Sequence, residues 1–358
     1  MRRALPVLLL FLSVAACAND GAITGVGGTI TPMQGHRSVR LVREKVDVRI
    51  GWESAKVRCE FVFKNEGPAT TVKMGFPEEA TGVDVGPIRS SDLKNFSSWV
   101  DGKPVKTTFV PTRPGPASPG ETYRAWHVKN VSFKADQTRV VVDEYTSPLG
   151  QDSMGGRSFS YILMTGKSWK GKIGEAVVTL DASDVASFYE PQFSDALEGH
   201  VKKGGMIVWT ARDFEPSANV GLDLRPWGIW LGDPAESVHL QVDDPRLFGE
   251  QGVVMAMVRG LEWIEGCHVA WDEAASECTV TYGNRSLSMK PGDKSAFLDG
   301  EKIALPAAPY IKWSSLHAPV LTIAEKLGIM VERDDKTRSI HIGRPTGPGD
   351  ARPRGTDV

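Results

Sequence analysis

The chain has 358 residues, of which 42 are Lys or Arg and 44 are Asp or Glu, for a formal net charge of −2. A balance this even, with no clustered basic run, excludes nucleic acid as a natural partner, because phosphate recognition needs concentrated Lys and Arg. The length exceeds what a single hydrophobic core ordinarily organises, so more than one domain is expected.

In chain order, Arg2 and Arg3 precede an apolar run from Ala4 to Ala16, the layout of an export signal over residues 1–16. The run is too short for a permanent transmembrane helix. It ends in Val14-Ala15-Ala16-Cys17, which resembles the bacterial lipobox. That resemblance implies a diacylglycerol thioether on Cys17, and two acyl chains on one residue anchor firmly. Ordinary secretion is the alternative, since Ala16-Cys17-Ala18 also offers the small-x-small pattern of a general signal peptidase. No later apolar stretch has the length of a membrane span. The expected product is an exported cell-envelope protein held at a membrane outer face by its lipid alone.

Residues 17–35, rich in Gly, Asn and Thr, are expected to form a linker from the lipid to the first strand. From 36 to 232 the signals are almost entirely β: short runs rich in Val, Phe, Tyr and Thr, separated by turns such as Asn65-Glu66-Gly67-Pro68 and Asp101-Gly102. Many short strands without a long helical period predict a β-sandwich. Val57, Cys59, Phe61 and Phe63 alternate in phase, which predicts Cys59 as a buried small hydrophobe. The Pro and Gly cluster from Pro111 to Gly120 is expected on the surface.

The pattern changes around Gly232-Asp233-Pro234, and residues 237–343 read as a small α+β domain, followed by a disordered tail at 344–358. Within the α+β segment the sequence repeats at a shift of 62 positions: Ala256 falls on Ala318, Val258 on Val320, Leu261 on Ile323, Gly266 on Gly328, Asp272 on Asp334 and Val280 on Ile342. Each copy reads as helix, strand, turn, strand. In the second, Pro319 opens a helix whose stripe is Val320, Ile323, Ala324 and Leu327, with Gly328 as its cap. Ala296 to Ile303, centred on Asp299-Gly300, predicts a hairpin between the copies. A loop from Asp272 to Ser276 would set Cys267 opposite Thr281 and Trp271 opposite Glu277. Cys278 would then lie three residues out of register with Cys267 on the other face, which argues against a disulfide between them.

The succession of Asp299-Gly300-Glu301-Lys302, Ala308-Pro309, Ala318-Pro319-Val320 to Leu327-Gly328, Val331 to Asp334 and Ile340-His341-Ile342 resembles the copper amine oxidase N-terminal-like, or stalk, domain. The resemblance covers roughly Val238 to Gly343. It implies an antiparallel sheet wrapped against helix, an appendage of exported proteins separate from the oxidase's copper-binding catalytic part. The first domain is similar, more loosely, to secreted bacterial β domains through segments such as Phe63-Lys64-Asn65-Glu66-Gly67 and Trp169-Lys170-Gly171, and that similarity implies no activity.

Chemistry-bearing motifs are sparse. The seven histidines (His36, His127, His200, His239, His268, His317 and His341) form no His-x-His or His-Glu-x-x-His pattern, and no Cys-x-x-Cys, nucleophile elbow or P-loop occurs. No catalytic residue, metal ligand or cofactor is therefore expected, copper and quinone included. Acidic pairs such as Asp143-Glu144, Asp243-Asp244 and Asp334-Asp335 are explained by turn formation. Ten tryptophans are read mainly as packing, with Trp227 and Trp230 joining the two domains. Trp313, beside Lys312, Ser314 and Ser315, is the candidate for an exposed, ligand-stacking aromatic. The expected function is a non-catalytic structural or interaction module for cell-wall polymer or another envelope protein. The alternative is a carbohydrate-binding protein with an aromatic-lined groove on the sandwich, which coplanar exposed tryptophans there would reveal.

Overall fold

The computed structural model describes residues 24–28, 31–32, 36–81, 90–111, 125–152, 154–193, 199–232 and 237–343. Cys17, the export signal, the Pro111–Gly120 cluster beyond its first residue and the 344–358 tail lie outside the described residues.

Two sheets face each other to form the sandwich. One has nine strands and runs Glu190–Phe193, Val220–Arg225, Arg157–Ile162, Thr24–Gly28, Thr70–Thr81, Ala125–Phe133, Thr108–Pro111, with two short strands off this path. The other has eight and runs Val201–Lys203, Met206–Phe214, Ile173–Asp181, Val39–Ile50, Ser54–Asn65, Thr138–Pro148, Lys94–Val100, Lys103–Val105. Strict alternation builds the core. Val57, Cys59, Phe61 and Phe63 are all buried, as their phase predicts, and successive Cβ atoms on a strand point to opposite faces. The Asp101-Gly102 turn has both residues at positive φ (49° and 75°), the primed geometry whose twist suits a two-residue hairpin.

One expectation fails at the start. Residues 24–28, assigned to the linker, form an internal strand, parallel to Arg157–Ile162 and antiparallel to Thr70–Thr81. Glycine in a strand weakens the local signal, but neighbours on both sides satisfy its backbone.

The C-terminal unit contains three small sheets and two α-helices among the described residues. Its elements follow the same order in the two segments. Met255–Met257 pairs antiparallel with Ser315–Pro319 such that Ala256 lies opposite Ala318, the residue it falls on at the 62-position shift. Each copy continues through a helix, a glycine at positive φ (Gly266 at 80°, Gly328 at 79°), and a hairpin. At the hairpin turns Asp272 accepts the Ala275 amide N–H (3.0 Å) and Asp334 accepts that of Thr337 (3.3 Å), again equivalent positions.

The copies differ in their helices. Val320–Leu327 is α-helical, whereas Val258–Trp263 is a 3₁₀-helix. Spacing accounts for this: the second copy buries Val320, Ile323, Ala324 and Leu327, an α period, while the first buries Val258, Leu261 and Ile264, a strict period of three. Gly260 lets the tighter helix approach closely, since a Cβ there would meet Leu240 Cδ1 at 2.9 Å and Leu231 Cδ1 at 3.2 Å.

The hairpin register also differs from expectation. The turn is Glu273 to Ser276, one residue shorter than predicted, so Cys267 lies opposite Tyr282 and Trp271 opposite Cys278. The two cysteines are thus four positions out of register on one face, both buried and both free. Burial pushes each thiol up to about 11.

Gly228–Leu231, the last strand before the change of pattern, pairs in parallel with Ser339–Ile342 and so belongs spatially to the C-terminal unit. The junction is aromatic. Trp227 donates through Nε1 to Ser187 O (3.2 Å), packs on Phe248, and lies under the Arg333 guanidinium at 4.4 Å, while Phe248 meets Phe188 edge-on at 5.3 Å. Trp227 joins the two units as expected. Trp230 instead packs on His239 within the C-terminal sheet, at 5.2 Å.

Candidate functional site

Trp313 occupies the tip of the hairpin formed by Tyr310–Lys312 and Ser315–Pro319, closed by the pairing of Lys312 with Ser315. Both turn residues lie at positive φ, 48° for Trp313 and 59° for Ser314. The two-residue turns at Asp101-Gly102 and Asp299-Gly300 carry the sequence this geometry favours. A tryptophan in the left-handed region is strained by about 1–2 kcal/mol, and here it is also 79% exposed.

The base of this hairpin is anchored. Lys312 Nζ lies 4.2 Å from the Trp313 ring centroid, over one face of the indole, and donates to Asp243 Oδ1 at 2.9 Å. Asp243 is also paired with His317 Nδ1, and the His317 ring stacks on Tyr310 at 5.6 Å with planes 5° apart. Burial, aided by the Asp243 and Asp244 carboxylates, pushes the Tyr310 hydroxyl up to about 12, so it remains a neutral phenol. An exposed indole, one face covered by a fixed cation and the other available, can stack on a sugar ring or an apolar side chain.

Asp243-Asp244 therefore does more than make a turn. Asp243 is the anchor just described, and Asp244 caps the helix Pro245–Gln251 by accepting the Arg246 amide N–H. The turn reading fails outright for Asp143-Glu144, which sits within the strand Thr138–Pro148. Glu144 points outward to Arg58, and Asp143 is fully buried.

Asp143 belongs to a polar cluster in the sandwich interior that motif searching missed. Lys129 Nζ donates to Asp143 Oδ1 and Oδ2, both at 2.6 Å, from the opposing sheet. Tyr161 donates to Glu44 Oε1 at 2.8 Å, a second contact between the sheets. Cys59 lies across the strand pair from Asp143. Burial drives the Cys59 thiol and the Tyr161 phenol well above their ordinary values, and it lowers the Lys129 ammonium against the opposing pull of Asp143. The signal was present in the alternation. Lys129 is in phase with Val131 and Phe133, and Asp143 with Val141 and Tyr145, so opposite charges occupy inward positions on consecutive strands.

A third group joins Ser91, His127 and Glu78. Ser91 Oγ lies 3.1 Å from His127 Nε2, and Glu78 Oε2 lies 3.0 Å from the same nitrogen. A nucleophile and its orienting acid need opposite ring nitrogens, so this is not a catalytic triad. Burial works to raise the Glu78 carboxyl, but His127, the Asp92 amide and Ser91 outweigh it and hold the group below its ordinary value.

None of the sandwich tryptophans stands exposed among the described residues; the exposed ones are Trp263, Trp271 and Trp313, all in the C-terminal unit. Trp52, Trp99 and Trp126 of the sandwich are half-buried. A cleft of about 470 Å³ does lie on the eight-stranded sheet, lined by Asp47, Arg49, Lys56, Asp181 and the paired Arg58 and Glu144.

Residues 238–342 match the family model described as the copper amine oxidase N-terminal domain. This third of the chain is such a domain. The match agrees with the expected resemblance and concerns the N-terminal, non-catalytic part of the oxidase. His239 and His341 flank Trp230 on separate strands. Two strand spacings, about 9–10 Å, are too many for a shared ion. Among the described residues no three His, Cys, Asp or Glu side chains gather as a metal site.

No curated protein matches the chain in sequence. Among solved structures, a Legionella pneumophila protein described as a "putative nutrient binding protein" is similar at 20% identity and a TM-score of 0.48, over 58% of this chain and 73% of that one. A two-domain M1 zinc metallopeptidase (11% identity, TM-score 0.27, 57% and 48% of the chains) and yeast LTA4 hydrolase (7%, 0.28, 55% and 30%) are also similar. Likenesses this distant carry no functional argument.

Proposed function

We propose that the protein is a non-catalytic binding module of the bacterial cell envelope, exported by residues 1–16 and tethered through a lipid on Cys17. Its copper amine oxidase N-terminal domain presents Trp313 to a cell-wall polymer or to another envelope protein. The observation that carries this reading is the Trp313 turn. Folding gains nothing from a solvent-exposed indole in a left-handed conformation, where Asn-Gly or Asp-Gly would be relaxed, and strain of this kind is a mark of binding sites. Lys312, fixed by Asp243, keeps the ring oriented and reduces the entropy lost on docking.

The test is retention of the full-length protein on purified cell wall and, separately, on immobilised envelope extract. Trp313→Ala should weaken retention on one of the two by about 2 kcal/mol, roughly thirtyfold, as expected for an aromatic anchor. Thermal stability should stay within about 0.5 kcal/mol of the parent, as for other surface substitutions. Equal retention of parent and variant on both matrices would sink the assignment to Trp313.

A further inference from the structure

Lys129 and Asp143 project from the inner faces of opposing sheets, on Ala125–Phe133 and Thr138–Pro148, and meet inside the sandwich. Lys129 Nζ is 2.6 Å from Asp143 Oδ1 and 2.6 Å from Oδ2. Equal distances hold the amine against both carboxyl oxygens, one bond away from Cγ. The side chains are 1% and 0% exposed, so bulk water does not reach either. We propose that Lys129 and Asp143 condense to an intramolecular isopeptide bond that covalently joins the two sheets.

The reaction balances within the pair. Lys129, as a neutral amine, forms an N–C bond to Asp143 Cγ of the carboxylic acid. One Cγ–O bond breaks, and that oxygen leaves as water, carrying a proton given up by the nitrogen. Starting instead from ammonium and carboxylate, the sum is the same: one amide and one water, with no oxidant, reductant or further reactant.

Three features of the site favour it. Two charges in a dry core carry a large desolvation cost that a neutral amide does not. Burial moves Lys129 toward the amine that attack requires. The fold also holds the groups in contact, which replaces an intermolecular encounter by a fixed one, and it excludes the water that would reverse the step. Cys59, directly across from Asp143, does not compete as nucleophile, because burial keeps it a thiol.

The experiment is tryptic digestion and mass spectrometry of denatured full-length protein, read as peptides so that any modification at Cys17 has no bearing. Condensation blocks cleavage after Lys129 and gives a branched species joining residues 125–134 to residues 140–157, lighter than the two linear peptides together by one water. Lys129→Met should abolish the branched species. Should the wild-type protein yield free peptides 125–129 and 140–157 at full mass and no branched product, the isopeptide is absent and the pair is a salt bridge only. That result would leave the Trp313 reading untouched.

Discussion

In the sandwich, Glu44, Glu78, His127, Lys129 and Asp143 lie inside and no tryptophan stands exposed among the described residues. In the C-terminal unit the buried polar residues are His317 and Ser339, and Trp263, Trp271 and Trp313 reach solvent. The difference follows from size. A large two-sheet core can absorb the desolvation of a few paired charges, whereas a small unit has little surplus burial to offset them. The small unit keeps a mainly apolar interior, with the Asp243–His317 pair as its buried exception, and carries its exposed tryptophans at its edges.

The strongest way to break this contrast is at Lys129. Lys129→Met strands Asp143 in the core and should destabilise the sandwich by about 3–5 kcal/mol or more, measured by denaturant unfolding. Adding Asp143→Leu should restore the part due to the stranded carboxyl, and any remaining deficit measures the cross-link. If the single variant unfolds with the parent, the interior charges are not what distinguishes the sandwich.

A smaller effect separates the two copies of the repeat. Gly260→Ala would press a methyl against Leu240 and Leu231 and should cost about 1–3 kcal/mol by overpacking. The equivalent change in the second copy, Thr322→Ala, lies on a half-buried α-helical position and should be neutral or slightly stabilising, since alanine is the better helix former. Similar losses at both positions would mean that the helices pack alike despite their different periods.

The smallest effect tests what the copies share. Asp272→Ala and Asp334→Ala should each cost about 0.5–1.5 kcal/mol through lost turn hydrogen bonds. Asp334 should cost more, because it also accepts from Lys336 N and Thr337 Oγ1. Thermal scans of the two variants decide this, and a reversed order would count against a common turn.

Local rules made much of this protein legible without coordinates. Period-two alternation placed Val57 to Phe63 inward, Asp-Gly pairs marked hairpins, and the 62-residue shift identified the repeat and its Asp-led turns, because each depends on neighbours within a few residues. The exposed Trp313 was legible from its polar flanks, though its left-handed backbone was not. Where reading failed, the deciding partner was distant in sequence. Thr24–Gly28 became a strand only because two remote strands flank it, and Gly228–Leu231 joined the C-terminal sheet by pairing with residues more than a hundred positions away. The contact of Lys129 with Asp143 required knowing that their strands lie in opposing sheets at matching depth. Sequence periodicity fixes which face a side chain takes, but only tertiary packing decides what that face meets.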